Sequence, residues 1–168
     1  MGPTMILCVG LNYQTSPPEI RESVALTPAE AEAALRELGG NRGQEAFILS
    51  TCNRTEFYTR GAPIKEPLGF VADVVKRLKG IDLREYPGVT YVWHTEDCVR
   101  HFFRVTSGLD SMVIGETEIA GQVRQSLDLA AKAGMSGTVL KRLGDSAVRC
   151  SRRVRVETAI TEIGRAHV

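Results

Sequence analysis

Hydrophobic patterning changes character once along this chain, near Thr95, and that change limits the folds open to it. Before Thr95, strand-length apolar runs alternate with amphipathic stretches. Met5 to Leu11, Glu45 to Thr51, Thr55 to Arg60 and Val89 to Trp93 read as strands. Thr27-Pro28-Ala29-Glu30 reads as a helix start, with a Thr N-cap, Pro in the first turn and Glu at the capping-box position. Ala31, Ala34, Leu35 and Leu38 then recur at helical spacing until Gly39-Gly40. Phe70, Val71, Val74, Val75 and Leu78 mark a second helix, ended by Gly80. Short connections between alternating strands and helices predict an α+β unit over about residues 1–94, a ferredoxin-like α/β sandwich.

From Thr95 to about residue 160 the chain reads as a C-terminal helical extension. Thr95, Glu96 and Asp97 are expected to cap a helix bearing Val99, Phe102, Phe103 and Val105. A second helix, about Thr117 to Ala133, turns Ile119, Val123, Leu127 and Ala130 inward. The last, from near Gly137, carries Leu140, Leu143, Ala147, Cys150 and Val154 as a packing stripe. Its other faces are basic, with Lys141, Arg142, Arg149, Arg152, Arg153 and Arg155. Such a face suits a nucleic-acid backbone, a solvated surface or a contact with further domains.

A formal net charge of +1 over 168 residues gives no global field that demands a polyanionic partner. No apolar run approaches the length of a membrane span, and Ile6-Leu7-Cys8-Val9 has no basic region before it, so neither a membrane anchor nor a signal peptide is expected. The four cysteines (Cys8, Cys52, Cys98, Cys150) are far apart and form no C-x-x-C pair. Reduced thiols in a cytoplasmic protein, with no zinc site, are therefore expected. Cys8, in an apolar strand, and Cys150, on the packing stripe, read as core. Cys98 lies in the first turn of a helix, where thiol acidity rises, but no motif surrounds it.

The chemistry concentrates in two stretches. Ser50-Thr51-Cys52-Asn53-Arg54-Thr55-Glu56 follows the apolar run Phe47-Ile48-Leu49, which places a cysteine at a strand end beside a hydroxyl, an amide and a guanidinium. This suits a thiolate attacking the carbonyl of a substrate that carries a carboxylate. It also fits a buried cysteine before a polar turn, with Arg54 as a surface residue paired to Glu56 and with Thr51 and Asn53 as ordinary turn formers. The second stretch is Ser107-Gly108-Leu109-Asp110-Ser111-Met112-Val113-Ile114-Gly115-Glu116.

These two stretches, with Gly10-Leu11-Asn12-Tyr13 at the start, resemble the N-terminal catalytic domain of glutamyl-tRNA reductase, from about Met5 to Ile160. The resemblance implies NADPH-dependent reduction of glutamyl-tRNA to glutamate-1-semialdehyde, the opening step of tetrapyrrole synthesis, through a glutamyl thioester on Cys52. It implies Cys52 as nucleophile and His101 as the group that orients or deprotonates it or protonates the leaving ribose oxygen. Arg54 would read the glutamate side-chain carboxylate through two parallel bonds. Thr51, Asn53, Ser111, Glu116, Thr117, Glu118 and Gln122 would line the glutamate pocket, and an acid at Glu118 departs from the family's usual Gln. A homodimer and glutamate-1-semialdehyde aminomutase are the further partners implied.

No strand in this sequence leads into G-x-G-x-x-G, so the chain is read as truncated before the family's NADPH-binding domain. Residues 161–168 do not resemble the family; Glu162-Ile163-Gly164-Arg165-Ala166-His167-Val168 instead resembles a translated sequencing-library adapter, so His167 carries no functional argument. The competing readings are a stand-alone tRNA- or protein-binding module without turnover, and a generic cysteine hydrolase or peroxidase.

Overall fold

Residues 4–39 and 44–166 are described by the structure, a computed structural model. Gly40 and His167 lie outside the described residues. The strands are β1 (Met5–Asn12), β2 (Glu45–Ser50), β3 (Arg54–Gly61) and β4 (Tyr91–His94). They pair antiparallel throughout, in the order β2-β3-β1-β4. Helices α1 (Pro18–Val24) and α2 (Pro28–Leu38) link β1 to β2, and α3 (Pro67–Lys79) links β3 to β4. Then follow α4 (Thr95–Thr106), α5 (Glu118–Lys132), α6 (Thr138–Glu157) and a short α7 (Ile160–Arg165).

Successive strand residues point to opposite faces of a sheet, so register sorts the core into two layers. Val9, Leu11 and Phe57 face Val24 of α1, Val71 and Val75 of α3, and Leu83. On the other face, Phe47 stacks on Tyr58 with centroids 4.5 Å apart, and Phe102 of α4 packs on both rings at 5.2 and 5.1 Å. Strand β2 would be a free edge. Instead α5 lies along it, and the Ala46 N–H donates to the Met135 carbonyl just past the end of α5.

The Thr27 capping box forms as read: its hydroxyl accepts from the Glu30 N–H, and the Glu30 carboxylate accepts from the Thr27 N–H. Other expectations shift. Helix α1 has only seven residues with Val24 alone buried, which gives no apolar period to read. Thr95 does not cap α4. His94 is the N-cap, without a side-chain cap bond, and Thr95 sits inside the helix start with φ of 45°. On α6 Leu140 and Ala147 of the expected stripe are buried and Leu143 packs against the core, but Gly144, Val148 and Ser151 are buried as well, while Cys150 and Val154 are only half-buried. The reason is a close helix approach: a Cβ at Gly144 would stand 2.2 Å from Leu127 Cδ1. Residues 160–165 form α7, and Ile160, which is buried, packs over Gly115 so closely that a Cβ there would lie 2.5 Å from the Ile160 carbonyl oxygen.

Candidate active site

Cys52 and Asn53 are the two central residues of the tight turn joining β2 to β3, closed by a Thr51 N–H bond to the Arg54 carbonyl at 2.8 Å. The Asn53 N–H donates to Thr51 Oγ1 at 3.2 Å, so Thr51 folds the turn from within. Of the four cysteines, Cys52 alone is exposed. Cys8 is buried, and that burial together with the nearby Glu56 charge pushes its thiol well up. Cys98 is pushed up to about 12, burial first and Glu56 second, the reverse of the shift expected at a helix start. The exposed turn thus separates the Cys52 thiol from Cys8 and Cys98, which are buried, and from Cys150, which is half-buried.

Arg54 is not a surface residue. It opens β3 on the face toward α4 and is 2 % exposed. Its Nη1 donates to Glu56 Oε1 at 2.8 Å, and its Nη2 donates to the Asp110 carbonyl at 2.6 Å. Burial opposes its charge, but Glu56, with Tyr91 and Tyr58, offsets that and holds the guanidinium ionised. The Asp110 contact ties the Cys52 turn to the second motif. Tyr13 completes the tie: its N–H donates to the Asn53 carbonyl at 2.9 Å and its hydroxyl to the Ser111 carbonyl at 3.4 Å. Asn12 sets Tyr13 in place through an Asx turn, its Oδ1 accepting from the N–H groups of Gln14 and Thr15. The second motif closes on itself where the Gly115 N–H meets the Gly108 carbonyl, and Gly108 needs its φ of 76°.

Glu56 is the centre of what sequence reading missed. It is fully buried, and its Oε1 accepts from Arg54, Tyr91 and His101 while Oε2 accepts from Tyr58. Burial alone would raise its pKa. The His101 hydrogen bond and the Arg54 charge outweigh burial and hold the group at about 2. A carboxylate can only accept, so His101 Nε2, 2.6 Å away, carries a proton there. His101 Nδ1 stands 3.6 Å from Asp110 Oδ2. Its ring borders a cleft of about 250 Å³ with Trp93, Arg100 and Arg104. No hydrogen bond joins His101 to Cys52. Burial and Glu56 also push the Tyr91 hydroxyl up, and burial, Cys8 and Glu56 do so for Tyr58, so both stay protonated donors. The signal available in the sequence was Gly10. It lies opposite Glu56 in the β1–β3 register, and a Cβ there would stand 2.7 Å from Glu56 Cγ.

One ligand atom each from Cys8, Glu56 and His101 lies within 4.8 Å of the others, which is metal-ligand spacing. The Glu56 oxygens are already taken by four donors, and the Cys8 thiol is held protonated by burial, so the set works as a hydrogen-bonded network instead. A dinucleotide does not fit the described residues either: the sheet is wholly antiparallel and no strand–helix junction carries a Gly-rich phosphate loop.

Of the remaining expected pocket residues, Ser111 is buried and joined to Tyr13, while Glu116, Thr117 and Glu118 lead into α5. Gln122 lies one turn further on and borders, with Ser50, a separate cleft between α2 and α5. None of these four side chains bonds to the Cys52 turn. Arg124, Arg149 and Arg152 surround a groove between α5 and α6 and form no ion pair among the described residues, whereas Arg153 pairs with Glu157.

Comparison with known proteins places these features. The family model described as glutamyl-tRNAGlu reductase, N-terminal domain, matches residues 9–158. A glutamyl-tRNA reductase of Pelotomaculum thermopropionicum is 40% identical over 157 residues, covering 93% of this chain and 35% of the relative. One from Marinobacter nauticus is 42% identical over 161 residues, covering 94% and 36%. The solved structure of glutamyl-tRNA reductase from Methanopyrus kandleri superposes with a TM-score of 0.73 at 28% identity, covering 91% of this chain and 35% of that one. The chain thus spans about a third of the length of the relatives it matches.

Proposed function

The chain belongs to the glutamyl-tRNA reductase N-terminal domain family, and on that premise we propose that it carries the acyl-transfer site of an enzyme reducing glutamyl-tRNA to glutamate-1-semialdehyde. The observation that carries the reading is the exposure of Cys52 on a two-residue turn that Arg54 and Tyr13 tie to the Ser111 loop. Cys52 sulfur attacks the glutamyl ester carbonyl, the carbon–oxygen bond to the tRNA ribose breaks, and a glutamyl thioester remains. A thioester keeps the carbonyl electrophilic for reduction, whereas a free carboxylate repels hydride. The reduction itself, by NADPH, is assigned to no residue of this chain, because the described residues do not fit a dinucleotide.

In this reading Arg54, charged and fixed by Glu56, turns its remaining donors to the glutamate carboxylate, with Ser111 beside it. Thr51 and Asn53 hold the turn and face the substrate amino group or carbonyl; Glu116, Thr117, Glu118 and Gln122 complete the pocket. His101 has its tautomer set by Glu56 and acts on the leaving ribose oxygen from the cleft it borders. The fold is read as a ferredoxin-like sandwich with a helical extension, and the arginines between α5 and α6 as a surface for the tRNA backbone. Homodimerisation, transfer of the aldehyde to glutamate-1-semialdehyde aminomutase and a cytoplasmic location belong to the same proposal. Mass spectrometry after mixing with glutamyl-tRNA tests it: wild type gains one glutamyl group on Cys52, and Cys52→Ser gains none. A protein that binds the tRNA without any adduct is a binding module, and an adduct at Cys8, Cys98 or Cys150 removes Cys52 as the nucleophile.

A further inference from the structure

We infer that the cleft between α2 and α5 is the subsite for the terminal adenosine of the substrate, the alcohol half of the ester that Cys52 attacks. This rests on the acyl-transfer reading above. The cleft encloses about 460 Å³, ample for a nucleoside. Its floor is apolar, from Leu26, Ala31, Ile48 and Leu129, and its rim is polar, from Gln122, Gln125 and Ser126, with Asp128 and Lys132 beyond. An apolar floor suits a base face. Glutamine amides, which donate and accept side by side, match the N6 and N7 edge of adenine.

Position argues for the same occupant. Ser50 lines the cleft and is two residues from Cys52, so the cleft begins within about 7 Å of the Cys52 backbone. Helix α5 runs antiparallel to β2, because the Met135 carbonyl at its far end bonds Ala46 at the start of that strand. Gln122 therefore stands at the Cys52 end of the cleft and Lys132 about 15 Å further along the helix. Lys132 forms no ion pair among the described residues. A 3′ end laid along α5 puts its base against Gln125 and Ser126 and its 5′ phosphate toward Lys132, leaving Gln122 at the Cys52 end to the glutamate pocket. The acyl group extends from Cys52 toward Arg54 and Ser111, which lie on the opposite face of the sheet from Ile48 and Ser50, so Gln122 at the Cys52 end borders both halves. A tetrahedral centre at Cys52 lets the acyl and alcohol halves diverge in this way.

Acylation of Cys52 from two donors tests the assignment. One donor is glutamyl-tRNA. The other is glutamyl N-acetylcysteamine thioester, which has no nucleoside; there the Cys52 sulfur–carbon bond forms as the donor's sulfur–carbon bond breaks, and N-acetylcysteamine thiol departs. Ser126→Phe, which fills the cleft, and Gln125→Ala, which trims its exposed rim, are read by the rate of adduct formation in the intact chain. With glutamyl-tRNA, the concentration needed for half-maximal rate should rise roughly 5- to 100-fold in each variant while the maximal rate holds. With the small thioester, both variants should match wild type within about twofold. Equal losses with both donors, or no loss with either, overturn the adenosine assignment while leaving the acyl-transfer reading intact. A wild-type protein acylated by neither donor overturns that reading and this inference with it.

Discussion

The two faces of the sheet are both covered by helices and built from opposite materials. Toward α1 and α3 the strands present Val9, Leu11 and Phe57, with Val71, Val75 and Leu83 above them. Toward α4 the same strands present Arg54, Glu56, Tyr58 and Tyr91, with His101 above them. The first layer holds through area removed from water. The second holds only because every polar atom at Glu56 has a partner, and its stability is bound up with charge. Folding uses the apolar face; the polar face spends the same strands on fixing a guanidinium and an imidazole around Glu56.

Three measurements sharpen or break that contrast. Glu56→Ala should cost about 3–5 kcal/mol in denaturant unfolding, since it strands the Arg54 charge in the interior. Phe57→Ala on the other face should cost a similar 3–5 kcal/mol through its cavity. The contrast lies in rescue: adding Arg54→Met to Glu56→Leu should recover at least half of the Glu56 loss while acylation of Cys52 stays absent. A double variant no more stable than Glu56→Ala would mean that the network is held by something besides charge pairing.

Acid separates the faces next. The Glu56 pKa in the folded chain, about 2, lies below its ordinary 4.5, so its contribution is fully present above pH 4.5 and is lost as pH falls through about 2. The loss should be on the order of 3 kcal/mol, and a chain carrying Glu56→Leu with Arg54→Met should lose correspondingly less over that window. Parallel pH profiles for the two proteins would contradict the role given to this carboxylate. The smallest effect is Gly10→Ala, expected to cost about 1–3 kcal/mol through overpacking against Glu56 Cγ. It should also slow Cys52 acylation, because the displaced carboxylate carries Arg54 with it; unfolding and adduct assays together read both.

The apolar face was legible in the sequence because apolar contacts repeat at fixed spacing: the four strands and the α2 and α3 stripes follow from Leu7, Val9, Phe57, Leu35 and Val75. The capping box at Thr27 is legible for the same reason, being local. The polar face was not. Glu56 meets His101 across 45 residues and Tyr91 across 35, contacts that only the strand register creates. Both motifs were legible as motifs, yet the bond between them, Arg54 to the Asp110 carbonyl, was not. On α6 the apolar spacing finds Leu140 and Ala147 but misses Gly144, which lets Leu127 in, and Val148 and Ser151 beside it.

The cover on β2 has a consequence for how the chain reaches its native state. Glu45–Ser50 contains Ala46-Phe47-Ile48-Leu49, a β-prone segment whose outer edge is closed by α5 and by the Met135 carbonyl. Those partners lie far along the sequence, so the edge closes late, after the hairpin it belongs to has formed. Any interval in which α5 is undocked leaves a hydrophobic strand open to pairing with a second molecule. Aggregation during refolding should therefore rise steeply with protein concentration, and substitutions that loosen α5, such as Val123→Ala, should aggravate it more than equally destabilising changes in α3.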